Sequence, residues 1–166
     1  MKKLWIIIDT SGSMFESGKR LVARGIVREV EQYLRLGFAQ AEPLLLSANN
    51  NTTEITWNPD EEYPEKMFNC HGVFNAKAVI NCIQEKEGLF LLISDGNIGL
   101  KQEKVLQRWA ENMPEDSLRV IVAGGDTMTG LRKHFKVFSS TEVLSALDDW
   151  IESDKKNATT EDEDEW

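Results

Sequence analysis

Apolar residues fall along this chain in two rhythms, short unbroken runs and longer stretches with a period near four, and the two alternate from end to end. Residues 4–8 (LWIII), 89–94 (LFLLIS) and 118–123 (LRVIVA) are runs of the kind found in central strands of a parallel sheet, apolar but for Ser94 and Arg119 because both faces are covered. After the first run, Val22, Ile26, Val30, Tyr33 and Leu34 recur at helical spacing, with Arg24, Arg28, Glu31 and Arg35 opposite and Gly37 as the stop. The same spacing predicts a helix near residues 75–85, with Ala76, Val79, Ile80 and Ile83 inward. A third helix runs through Val105, Leu106, Trp109 and Met113 and stops near Pro114.

Pro43 opens a short apolar run at 44–48, and residues 52–57 (TTEITW) alternate with period two, so a second strand and its hairpin partner are expected at a sheet edge. Residues 58–71 are polar, contain Pro59 and Pro64, and read as a loop. A short helix through Leu131, a brief strand at 137–139 and a last helix complete the series. Thr141 is the expected N-cap of that helix, with Val143, Leu144, Leu147 and Ile151 facing inward. Elements alternating in this way predict an α/β fold: a doubly wound, mostly parallel central sheet with helices on both faces and one antiparallel edge strand. Residues 1–153 are read as one domain and 154–166 as a tail.

Composition narrows the picture. A chain of 166 residues can bury one substantial core, and no apolar run approaches the roughly 18 residues of a membrane span. The opening MKKLWIIIDTS has only five apolar residues before Asp9 and no small-residue cleavage site, so it is read as a core strand of a cytoplasmic protein and not as a signal peptide. Cys70 and Cys82 form neither a disulfide framework nor a metal-ligand spacing and are expected as free thiols. The net charge of −9 argues against nucleic acid as a partner. Residues 154–166 hold six acids against two lysines, which leaves −4 on the tail and −5 on the body. A polar acidic run of this kind cannot bury enough area to offset its ordering, so disorder is expected, either as a solubilising end or as a docking segment closed by Trp166.

The candidate chemistry lies where the first run ends. Asp9, Ser11 and Ser13 place three oxygen-bearing side chains at alternate positions beyond an apolar strand, and Gly12 is expected to let the loop turn so that the hydroxyls converge. Open α/β sheets bind ligands at the carboxyl ends of their strands. Mg²⁺ prefers oxygen donors, keeps several waters and often takes only one or two carboxylates plus an anionic group of its ligand. A second acid, Asp95, follows the LFLLIS strand; if both strands are central and parallel, Asp9 and Asp95 emerge at one edge, where a divalent cation would offset their repulsion. Asp95 could equally cap a turn, as Asp-Gly often does.

DTSGSM resembles the DxSxS signature of von Willebrand factor A domains, whose metal-ion-dependent adhesion site opens the first strand-to-helix loop. The resemblance covers roughly residues 2–152 and includes the order of elements, the LFLLISDG strand and the VIVAGG strand after it. It implies a Rossmann-like fold of that family in its stand-alone bacterial form, with Mg²⁺ or Mn²⁺ held by Asp9, Ser11, Ser13 and Asp95, partly through water. A partner's Asp or Glu would complete the shell. In that family a threonine from the loop before the central helix also contributes, whereas here Val73 stands at its place in HGVFNAKA; Asn75 or a water would have to compensate. His71 is read as a hydrogen-bonding loop residue. The implied role is a cytoplasmic, non-catalytic adaptor working beside an AAA+ ATPase or a kinase/phosphatase pair in a stress-response system, binding neither nucleic acid nor membrane.

Enzymatic readings fit poorly. GSMFESGK sits like a phosphate-binding loop, but its second glycine falls six positions after the first, one too many, and Arg20 stands where the metal-binding Ser or Thr belongs. A haloacid-dehalogenase-like phosphatase needs an aspartate where Ser11 stands, and for acyl transfer there is no GxSxG elbow and only His71 and His134 as bases. The rival to the metal reading is a scaffold that binds without metal, through its helical faces or its acidic tail. Val73 is the residue that favours it.

Overall fold

The structure is a computed structural model and describes residues 2–64, 67, 69–83, 87–124 and 129–151. Among these residues six strands form one sheet: β1 (Lys3–Asp9), β2 (Glu42–Ala48), β3 (Thr52–Ile55), β4 (Leu89–Ser94), β5 (Leu118–Val122) and β6 (Lys136–Ser139). Their order is β3-β2-β1-β4-β5-β6, parallel throughout except for β3, which pairs antiparallel with β2 at the edge. The expected α/β architecture, its hairpin and its antiparallel edge are therefore observed. Among the described residues four α-helices accompany the sheet, α1 (Lys19–Arg35), α2 (Ala76–Cys82), α3 (Leu100–Glu111) and α4 (Val143–Leu147), with 3-10 segments at Gly12–Gly18 and Gly130–Lys133.

Alternation along the central strands builds two cores. On one face Leu4, Ile6 and Ile8 of β1 and Leu89, Leu91 and Ile93 of β4 pack with Ile26, Val27 and Val30 of α1 and Val143 and Leu147 of α4. On the other, Trp5 and Ile7 of β1 with Phe90 and Leu92 of β4 pack against Val79 of α2, Leu106 of α3 and Leu131. Helices on both faces explain why these strands read as continuous apolar runs.

Helix α1 ends where Gly37 predicts. With Gly37 at φ +80°, its N–H donates to Leu34 O (3.1 Å) and that of Phe38 to Tyr33 O (3.3 Å), and the Tyr33 and Phe38 rings stack 5.5 Å apart. That is the left-handed helix stop with its accompanying apolar contact.

Two expectations for the last helix fail. Thr141 does not cap α4: its hydroxyl pairs with Ser139 Oγ at 2.9 Å, while Glu142 occupies the cap position and accepts the Ser139 N–H through its own carboxylate. Leu144 faces solvent at 57% exposure, because α4 is only five residues long and presents just Val143, Ala146 and Leu147 to the sheet. No helix among the described residues is long and apolar enough to cross a membrane. The tail at 154–166 lies outside the described residues.

Candidate functional site

Strand register decides where the two acids go. β1 and β4 are paired neighbours with Ile8 opposite Ile93, so Asp9 and Ser94 lie level at the carboxyl edge. Both continue the face covered by α2 and α3, and the Ser94 hydroxyl donates to Asp9 Oδ2 at 2.6 Å. Asp9 Oδ1 accepts the Ser11 N–H at 2.9 Å, which folds the first turn of the loop back on the strand end. Asp95 is one residue further on. Its Oδ2 accepts from the Lys19 ammonium at 3.1 Å, and its Oδ1 from the Asn97 N–H at 3.0 Å.

Asp9 is only 1% exposed and has no ion-pair partner among the described residues. Burial drives its carboxyl above the usual range. The hydrogen bonds from Ser11 and Ser94 work against that rise, and the nearby charge of Asp95 adds to it. Ser11 Oγ and Ser13 Oγ lie 3.3 Å apart, close enough to share a proton or to face one small cation together. A buried acid lacking a cation, beside two hydroxyls, fits the donor set a Mg²⁺ or Mn²⁺ ion takes. Among the described residues no cluster of three or more His, Cys, Asp or Glu side chains offers another metal site.

The loop is held from both sides. Thr10, wholly buried, donates its N–H to Ala48 O of β2 (2.9 Å), and its hydroxyl meets Ser47 Oγ (2.8 Å) and the Asn49 amide (3.1 Å). The loop before α2 closes over the other side through Gly12 N to Gly72 O and His71 N to Thr10 O, both 2.9 Å. Gly12 has no left-handed φ, and a Cβ there would meet only ordinary contact with Gly72 O at 3.5 Å. The chain turns here all the same, with Met14 N donating to Ser11 O at 3.0 Å, and left-handed φ values come only at Ser17 (φ 54°) and Gly18 (φ 71°), just before α1.

Val73 follows Gly72 directly, is 68% exposed and is fixed through its N–H to Asn50 Oδ1 at 2.9 Å. Asn75 caps α2, its Oδ1 accepting from Ala78 N (3.3 Å) and its Nδ2 donating to Asn50 O (3.3 Å), so both ends of its amide are occupied. The His71 ring bonds locally, with Nδ1 3.1 Å from Asn69 O. Cys70 and Cys82 are unpaired.

Three residues of this cluster escaped the sequence reading: Thr10, Ser94 and Lys19. Ser94 had a signal in being the one polar residue of an otherwise apolar strand. Lys19 had one too. A cation in the first turn of a helix is disfavoured by the helix dipole, and α1 has no acid there to offset it, so its charge needs another partner.

Similar solved structures include proximal thread matrix protein 1 from the mussel byssus, with 11% identity and TM-score 0.53 over 87% of this chain and 46% of that one. The Deinococcus radiodurans RO (RSR) protein aligns with 16% identity and TM-score 0.51 over 87% of this chain and 33% of its own. An aerotolerance-related membrane protein from Bacteroides fragilis, with multiple mutations to serines, aligns at 14% identity and TM-score 0.48 over 75% of this chain and 68% of that one. This chain thus spans under half the length of the mussel protein and a third of the Deinococcus protein. At such identities the likeness is one of fold. No family model and no curated protein sequence matches the chain.

Proposed function

We propose that this chain is a non-catalytic protein-interaction module of the von Willebrand factor A type, in which Asp9, Ser11 and Ser13 hold Mg²⁺ or Mn²⁺. Asp95 contributes through water, and an Asp or Glu of a partner protein completes the shell. The observation that carries the reading is Asp9 itself: a buried carboxylate with no cation among the described residues, beside two hydroxyls at the carboxyl edge of paired central strands. When bound, the ion would supply the positive charge that Asp9 lacks and a coordination position for a carboxylate. The chain's own residues do the rest. Ser94 and the Ser11 N–H orient Asp9, and the Thr10 contacts fix the loop to β2. The resemblance in the DTSGSM loop supports a cytoplasmic adaptor role beside an AAA+ ATPase or a kinase/phosphatase pair in a stress-response system.

Titration calorimetry with Mg²⁺ and Mn²⁺ tests the metal step, with one ion bound per wild-type chain and none to Asp9→Ala, whose circular dichroism should match the wild type. Peptides carrying one Glu, compared with their Gln counterparts in Mn²⁺ and in EDTA, test the carboxylate. A wild type that gives no binding heat with either ion ends the reading.

One observation favours the rival scaffold: Val73, largely exposed at the place of the family's threonine, offers no side-chain oxygen. Partner binding unchanged by EDTA would select that reading.

A further inference from the structure

We propose that Lys19 is an internal counter-cation that competes with a divalent ion for Asp95 and so sets how tightly the loop cluster binds metal. The inference rests on the metal-site reading above and concerns the control of that site. The Asp95 side chain is 4% exposed, and a carboxylate so enclosed is unfavourable without a compensating charge. The Lys19 ammonium supplies it from 3.1 Å.

Lys19 occupies an awkward place for a cation. It opens α1 at the positive end of the helix dipole, with no acid in that first turn, so Asp95 is what holds the charge there. Its stem runs beside Gly124, where a Cβ would lie 3.5 Å from Lys19 Cγ and 3.6 Å from Cε.

The two acids of the cluster are therefore in opposite states. Among the described residues Asp9 has no cation while Asp95 has one built in, because alternation along β4 turns Ser94 toward Asp9 and Asp95 toward the face that α1 covers. A divalent ion drawing on Asp95 must share it with the ammonium or expel it. The ammonium has room to leave: the Lys19 side chain is 24% exposed, and it borders a cavity of about 330 Å³ also lined by Glu103, Thr129 and Gly130. Lys19 thus works as a latch, closed on Asp95 without metal and released when the ion arrives.

The test uses the full chain, with Mn²⁺ alone as the probe, in calorimetry and in thermal denaturation with and without EDTA. Lys19→Met should bind Mn²⁺ at least ten-fold more tightly than wild type, melt below it in EDTA, and recover the difference at saturating Mn²⁺. Lys19→Arg, which keeps the charge, should stay near wild-type affinity and so separate charge from packing. Equal or weaker Mn²⁺ binding by Lys19→Met overturns the latch. If Asp9→Ala loses Mn²⁺ while Lys19→Met matches wild type, only the latch falls. If neither wild type nor Lys19→Met binds Mn²⁺, the metal site falls with it.

Discussion

The Ser94 hydroxyl donates to Asp9 Oδ2 at 2.6 Å and accepts the Gly96 N–H at 3.0 Å, joining the last residues of two neighbouring strands through one buried oxygen. Ser94→Ala removes a donor to a buried carboxylate and leaves the Gly96 N–H without its acceptor. A loss of roughly 2–3 kcal/mol is expected from two such unmatched groups. Urea denaturation checks it, and a change below about 0.5 kcal/mol would show that water replaces the serine.

At Val73 the missing oxygen can be restored. Val73→Thr should tighten Mn²⁺ binding several-fold in calorimetry while stability stays within about 0.5 kcal/mol, since the side chain lies open to solvent. Unchanged affinity would mean that this loop position does not reach the ion.

At the opposite edge of the sheet, Arg119 ties β5 to α4. It donates to both oxygens of Asp116 (3.2 and 2.8 Å) and to Ala146 O (2.9 Å), and its guanidinium lies 5.0 Å from the Trp150 ring. Burial alone would raise the Asp116 carboxyl, but the hydrogen bonds and charges of Arg119 and Lys136 outweigh it and hold the group below the usual range. A depressed carboxyl stabilises the fold above its unfolded pKa, about 3.9, and that contribution disappears as pH falls through the folded value. Stability measured between pH 5 and pH 2, as about the range that spans this transition, should therefore fall less steeply for Asp116→Asn than for wild type. Arg119→Met should cost roughly 2–3 kcal/mol at neutral pH, since a buried carbonyl loses its donor and a half-buried acid is left with Lys136 alone.

Tyr33 tests the alkaline side. Its hydroxyl donates to Asp148 Oδ1 at 2.9 Å, linking α1 to the end of α4. Burial, the bond to Asp148 and the charges of Asp148 and Asp149 push its phenol up to about 12. A raised pKa gives stability that is present below the unfolded value near 10 and is lost as pH rises through the folded one. Tyr33→Phe should cost about 1 kcal/mol at pH 7 and remove this alkaline loss, which denaturation at a series of pH values would show.

The central strands and the placement of both acids at one edge were legible because burial on two faces leaves an unmistakable apolar run and each acid comes at or just past the end of such a run, and the hairpin was legible in the alternation of TTEITW. The opposite surroundings of Asp9 and Asp95 were less visible. Counting by two along LFLLISDG places Ser94, and not Asp95, on the face of Asp9, but that count has meaning only once the register of β1 and β4 is known. The end of the chain misled for a different reason. Val143, Leu144, Leu147 and Ile151 have helical spacing, yet α4 stops at Leu147, so periodicity extended past the real element and put Leu144 on the wrong side. Thr141 shows the same weakness of local rules: a good capping residue lost the position to its neighbour Glu142, whose carboxylate reaches the Ser139 N–H.

Strand β3 bounds the sheet with four residues, and Thr52, Thr53 and Glu54 stand on it ahead of a single buried Ile55. So short and polar a border gives a foreign strand little to extend and makes stacking of one molecule on the next through backbone pairing unfavourable.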